Sequence, residues 1–323
     1  MPAVGRIVEI AEDGRHLSAD RGFLVVSERG GELGRVPLDD VFALVINAHG
    51  TTFSNNLFRA LAERGAPAVL CGPNHAPYAW MWPLVGHHQQ GARLRAQVEA
   101  TKPLGKRLWQ AVVRAKIEQQ GAVLAALGRN SAGFRLLARK VASGDPENLE
   151  AQAARRYWPL MFGDDFRRDR ERPGINALLN YGYTILRSAT ARAVCAAGLH
   201  PTIGLHHRNR GNDMALVDDL MEPFRPVVDL MVARLKASGI EEVTRDGKRV
   251  LARVSAMDLR TERGRTPLGT CLERLALSVA RSFENGRAAI ELPLTPLPLE
   301  YPAAEGSESR DASPADDANG EQP

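Results

Sequence analysis

Cysteine is scarce in this chain: three in 323 residues, Cys71, Cys195 and Cys271, with no Cys-x-x-Cys spacing among them. That excludes a disulfide framework and a structural zinc knot, and leaves the three as small core residues. Long hydrophobic runs are missing too. No stretch approaches the roughly 20 uninterrupted apolar residues that span a bilayer, and the opening MPAVGRIVEIAEDG lacks the basic, apolar and small-residue order of a signal peptide. The expectation is a cytoplasmic protein with no membrane role. No internal repeat is apparent either.

What is present is the composition of an ordinary globular protein, 25% charged and 44% hydrophobic. At this length one small core does not suffice, because single cores stop growing at roughly 250 to 300 residues. Two domains are expected. The net charge of +4 understates the basic character, since residues 300 to 323 hold seven acids against one base, leaving +10 for the remainder. Between Gly91 and Lys140 eleven Arg or Lys stand against two Glu. A solvated helical face would account for such a run taken alone; a polyanion partner would account for it as well.

Along the chain the hydrophobic period changes once. Up to about residue 88 the text reads as short strands, GRIVEI, FLVVSE, LGRVPL, VFALVIN, PAVLC and PYAWMW, broken by Gly, Asp, Asn and Pro. One helix interrupts them, capped by Thr52 or Ser54 and stopped by Gly65 and Pro67. From 89 to 291 the spacing becomes i, i+3, i+4, and predicts helices over 104–127, 134–142, 147–162, 175–197, 217–237 and 268–284. Pro223 and Pro226 must kink or delay the fifth of these. From Leu292 to Pro323 proline, serine and acids leave too little apolar area to repay ordering, so this tail is expected to be largely disordered. The fold class is α+β: a small β-rich N-terminal domain, a larger all-α domain, and an acidic tail.

Four residues carry a chemical signal. Glu150 shares a stripe with Ala154, Tyr157 and Met161 on the predicted 147–162 helix, and an acid on an apolar face needs a cation or a donor. Its bland explanation is a carboxylate near a helix N-terminus, with Asp145 or Asn148 as cap. In Gly204-Leu205-His206-His207 a glycine precedes a histidine pair. Asp219 and Glu222, at i, i+3, project from one face of a helical turn and repel unless a cation or an arginine such as Arg225 lies between them. One imidazole with two or three carboxylates is a ligand set suited to Mg²⁺ or Mn²⁺, and a divalent cation beside many arginines suits phosphodiester chemistry. The other doublet, His87-His88, has no acidic neighbour and reads as structural or DNA-contacting.

These residues resemble a known family, the CRISPR-associated integrase Cas-one (Cas1), which inserts new spacers into CRISPR arrays. The likeness rests on the helix-borne Glu150, the Gly204-x-x-His207 exit, and Asp219-Leu220-Met221-Glu222-Pro223-Phe224-Arg225-Pro226. It covers nearly the whole chain, and the stretch NYGYTILRSATARAV looks like the type II branch. The resemblance implies a β-rich domain over 1–88 that dimerises, a helical catalytic domain over 89–291, and Glu150, His207 and Glu222 as both metal ligands and catalytic residues. His207 rather than His206 falls on the ligand position, and Asp219 matches an acid close to the metal that is less surely a ligand. The tail over 292–323 has no counterpart in the family pattern.

The implied activity is that of a metal-dependent DNA endonuclease and integrase, joining 3′-hydroxyl ends of captured fragments to the CRISPR repeat by transesterification with Mg²⁺ or Mn²⁺. The implied partners are double-stranded and branched DNA, a second copy of the chain, the small Cas-two (Cas2) protein and, for a type II system, the effector nuclease. Phosphate contacts are expected from Arg93, Arg95, Lys102, Lys106, Arg107, Arg155, Arg156, Arg167 and Arg168, and Tyr157 and Trp158 could stack on a splayed end, though aromatics on a helix face are more often core. Two rival readings are a catalytically inert DNA-binding scaffold and a metallohydrolase acting on a small phosphoester.

Overall fold

A computed structural model describes residues 6–72, 77–81, 87–207 and 211–294 of the chain. The expected disorder of the tail from Thr295 onward lies outside the described residues.

The N-terminal part contains β1 (Arg6–Ile10), β2 (His16–Asp20), β3 (Phe23–Glu28), β4 (Gly31–Pro37), β5 (Val41–Ile46), β6 (Thr52–Phe53), α1 (Asn55–Glu63), β7 (Ala68–Cys71) and β8 (Pro77–Met81). Two four-stranded sheets result, ordered β4-β3-β2-β6 and β1-β5-β7-β8. Arg21-Gly22 and Arg29-Gly30 form the two-residue turns on either side of β3, all four with positive φ, and those turns suit the right-handed twist of a hairpin. β2 and β6 went unforeseen because they lack an apolar pattern; in β2 only Leu17 is buried, and the strand exists because β3 pairs with it in register. Ser54 is the α1 cap, its hydroxyl accepting from the Leu57 amide at 3.3 Å.

β5, VFALVI, is buried at every position, as a strand covered on both faces should be. Leu44 and Ile46 join Leu17, Leu24, Leu57 and Leu61 in one core. Phe42 and Ala43 belong instead to the large core of the helical part. A polar tie reinforces this seam: Glu9 of β1 accepts from Asn47 at 2.6 Å, from the Tyr181 hydroxyl, and pairs with Lys248 at 3.0 Å.

The helical part runs α2 (Gln90–Val98), α3 (Lys102–Ala126), α4 (Phe134–Lys140), α5 (Leu149–Phe162), α6 (Ile175–Ala196), α7 (Ala215–Met221), α8 (Arg225–Ala237), α9 (Arg245–Leu251), a hairpin of β9 (Asp258–Thr261) and β10 (Gly264–Pro267), and α10 (Leu268–Asn285). The hairpin departs from the all-α expectation; its polar sequence, DLRT and GRTP, shows no alternation to read. α6 is buried nearly all round and touches α7, α8, α9, α10 and β5, so it is the axis of the bundle. The single helix expected over 217–237 is two: Pro223 cannot donate to the ladder, so α7 ends at Met221, Glu222–Phe224 form a 3-10 turn, and α8 restarts at Arg225. Among the described residues no helix is long and apolar enough to cross a membrane.

Candidate active site

Glu150 occupies the first turn of α5, and that turn is held from outside. The Asn148 side chain accepts from the Ala151 amide at 3.3 Å, and Asp145 accepts from Leu149 at 2.9 Å and from Glu150 at 3.0 Å. Both candidate caps are therefore used. They fix the backbone under Glu150 while its carboxylate reaches Lys116 of α3.

The same Lys116 ammonium lies 2.5 Å from Oε2 of Glu222, whose other oxygen accepts from Arg225 Nε at 2.8 Å. Lys116 is 8% exposed and Glu222 7%. Burial alone would push the Glu222 carboxyl up, but Arg225 and Lys116 overcome it and hold it down to about 2. Burial alone would pull Lys116 down, and here Glu222 and Glu150 win and raise it. Both groups stay charged at neutral pH. Sequence reasoning counted Lys116 only among the basic residues. The signal that would have found it is a lysine on the same α3 face as Val112, Val113 and Ile117, all buried.

His207 and Asp219 form the second half of the site. Asp219 of α7 is fully buried and accepts from the amides of Leu205 at 2.5 Å and His206 at 3.0 Å. Its other oxygen lies 2.5 Å from Nδ1 of His207. Gly204 makes this possible by size: a Cβ there would lie 2.8 Å from Asp219 Oδ2 and 2.9 Å from the Ala215 Cβ. The proton affinity of His207 is raised, first by its hydrogen bond to Asp219, against an opposing effect of burial, and then by the charges of Asp219, Glu222 and Asp218. His206 does something else: it lies flat on Trp109, centroids 4.5 Å apart at 4°, whereas His207 meets the same ring edge-on at 5.6 Å.

The structure thus brings Glu150 to Glu222 through Lys116, and His207 to Asp219 through a hydrogen bond. Among the described residues no three His, Cys, Asp or Glu side chains converge as a metal-holding group. The donor types nevertheless fit a hard divalent cation. Glu222 Oε2 is buried and receives no directed hydrogen bond, and a histidine whose Nδ1 is fixed by a carboxylate has Nε2 left for a ligand bond.

The basic residues divide into two groups. Lys102 and Lys106 are exposed; Lys102 lines two cavities of about 330 and 230 Å³ that both reach the Gly204–His207 loop, and Lys106 lines the smaller. Arg95, Arg107, Arg155 and Arg156 are also exposed. Arg93 is not available to a phosphate: it is 6% exposed, donates to the Ala197 carbonyl at 2.9 Å and pairs with Glu284 at 3.0 Å. Arg168 is similarly committed, to Asn176 at 2.9 Å and Asn180 at 2.6 Å, and Arg167 is exposed but donates to the carbonyls of Asp164 and Phe166. Tyr157 corrects the stacking expectation outright. It is fully buried and donates to Asp229 at 3.1 Å. Trp158, half-buried, packs with Phe162 and Phe166. His87 is structural, its ring 3.2 Å from Arg93 and stacked on His88.

Comparison with known proteins agrees with this layout. A family described as CRISPR associated protein Cas1 matches residues 8–249. The chain is 39% identical over 232 residues to a CRISPR-associated endonuclease Cas1 of Neisseria meningitidis, covering 71% of this chain and 76% of that one. Among solved structures it resembles a casposase bound to integration product, with a TM-score of 0.74 at 19% identity over 88% of this chain and 92% of that one. It also resembles a chain of a Cas6-RT-Cas1–Cas2 complex, TM-score 0.69 at 19% identity, over 88% of this chain and 35% of that one. At such identities the two structures show a shared fold.

Proposed function

This chain belongs to the CRISPR-associated Cas1 family, and from that membership we propose that it is a metal-dependent DNA endonuclease and integrase of CRISPR adaptation. The observation that carries the reading is the meeting of Glu150 and Glu222, from separate elements, on the one buried Lys116 ammonium.

In this reading Glu150, Glu222 and His207 are the residues that would hold Mg²⁺ or Mn²⁺. When bound, the ion supplies Lewis acidity toward the scissile phosphate and a counter-charge for the leaving 3′-oxygen. The remaining work falls to side chains. Asp219 keeps the His207 ring oriented and takes no ligand position itself, since its oxygens are already occupied by Leu205, His206 and His207. Arg225 keeps Glu222 ionised. Lys102 and Lys106 hold backbone phosphates beside the loop, where affinity carries no sequence information. An incoming 3′-hydroxyl gives strand transfer, and water in its place gives nicking.

The proposed partners are double-stranded and branched DNA, a second copy of the chain joined through the β sheets, and a Cas2 protein. The likeness to a chain of a complex whose name includes Cas1 and Cas2 supports the last of these. Docking of a type II effector nuclease belongs to the same proposal.

One observation favours the rival reading of an inert DNA-binding scaffold: Lys116 and Arg225 together already balance the charge of the two glutamates. Nicking and strand transfer of branched DNA in Mn²⁺ decide between them. The wild type should act and Glu150→Ala should lose activity by about a hundred-fold or more, the usual scale for removing an electrostatic participant. Equal activity in the two removes the enzyme assignment. A protein with phosphatase activity that fails to bind DNA at low salt would instead be a small-phosphoester hydrolase.

A further inference from the structure

Lys116 is in an unusual place for a lysine. It sits in α3 among buried apolar residues, and a buried ammonium persists only when paired. It is paired twice, to Glu150 and to Glu222, the two carboxylates assigned above as ligands. The Glu222 oxygen facing it accepts no directed hydrogen bond, so that contact is charge against charge. Arg225 holds the other oxygen differently, with Nε donating at 2.8 Å and its guanidinium carbon 4.6 Å from the centre of the Tyr183 ring. Arg225 is locked in place. Lys116 is a compact charge on a flexible four-carbon stem, with rotatable bonds along which it can withdraw.

We propose that Lys116 is a tethered competitor for the divalent cation: its ammonium bridges Glu150 and Glu222 while no metal is bound, and metal must displace it to bind. The inference rests on the metal-ligand reading and adds that the chain carries its own rival for the site. It accounts for a lysine placed between two glutamates that come from separate elements. It also means that affinity for Mg²⁺ or Mn²⁺ is set lower than the donor set alone would give, because every binding event must move a charge already in place.

The test is the Mn²⁺ dissociation constant of the full chain, measured by calorimetry or by the electron spin resonance of free Mn²⁺, with melting curves in EDTA and in saturating MnCl₂. Lys116→Met should bind Mn²⁺ about ten-fold more tightly than wild type or better, melt lower in EDTA, and gain more from MnCl₂. Lys116→Arg keeps the charge and should stay within about three-fold of wild type. Unchanged or weaker Mn²⁺ binding by Lys116→Met overturns the proposal. So does a Lys116→Met protein that fails to fold even in MnCl₂, because the lysine is then a structural staple. Glu150→Gln separates the two ideas. If it binds Mn²⁺ as wild type does, the ligand assignment fails; if it loses Mn²⁺ while Lys116→Met matches wild type, only the competitor fails.

Discussion

The Arg225 guanidinium lies over the ring of Tyr183 with its carbon 4.6 Å from the centroid. Through that contact the ion pair of Glu222 is continuous with a buried polar cluster: Tyr183 donates to Asp229, and so does Tyr157 of α5, the helix that carries Glu150. The two glutamates are therefore linked twice, directly through Lys116 and again through Arg225, Tyr183, Asp229 and Tyr157. Helices α5, α6 and α8 all contribute to the second link. Packing alone would allow them to slide; directed hydrogen bonds to one carboxylate do not.

Asp229 gives a pH dependence with a definite sign. Burial pushes its carboxyl up to about 6, against lowering by the two hydroxyls and by Arg225 and Lys116. Its folded value exceeds the unfolded one, near 4, so the stability it contributes is fully present below about pH 4 and is lost as pH rises through about 6. The difference in melting temperature between wild type and Asp229→Asn should therefore shift against wild type as pH goes from about 4 to about 6. A difference that is flat across that window contradicts the burial argument.

Gly204→Ala should disable the site while leaving the fold. A Cβ at 2.8 Å from Asp219 Oδ2 forces the carboxylate or the loop aside, at a cost of about 1 to 3 kcal/mol in stability. The larger loss should appear in Mn²⁺-dependent nicking, since Asp219 positions the His207 ring. Full nicking activity with a normal melting temperature would show that the loop tolerates a side chain there.

Lys102 and Arg93 are both in the basic stretch and should behave oppositely. Replacing Lys102 or Lys106 by Ala should weaken binding to any DNA duplex and lower the slope of log K against log salt by about one per residue, with little change in melting temperature. Arg93→Ala should leave the salt slope unchanged and lower stability by about 1 to 3 kcal/mol, because the buried Ala197 carbonyl loses its donor. Titrations at several salt concentrations, with thermal melts alongside, read both effects.

What was legible in the sequence was whatever repeats with a period or recurs at a fixed spacing. The helices α3, α5, α6 and α10 stood out because each has a long apolar face. Glu150, Asp219 and Glu222 stood out as acids on helical faces, which the chain spells out directly, whereas the choice of His207 over His206 came from the resemblance to the Cas1 family. β2, β9 and β10 did not, since short polar strands are made by their partners and carry no pattern of their own. The division of the basic residues was equally hidden. Arg93 and Arg95 differ by two positions, and only the packing of α2 against α10 turns one inward to Glu284 and leaves the other in solvent. Lys116 was invisible as a partner for the glutamates because the three residues come from α3, α5 and the turn after α7, an arrangement set by tertiary structure.

β5 has a mechanical implication. Its Leu44 and Ile46 are fastened into one interior while Phe42 and Ala43 are fastened into the other, and Glu9 on the adjoining strand is bound to both Tyr181 and Lys248. Rotating the sheets against the helices about β5 would therefore open both interiors at once, so this strand is a poor place for a hinge.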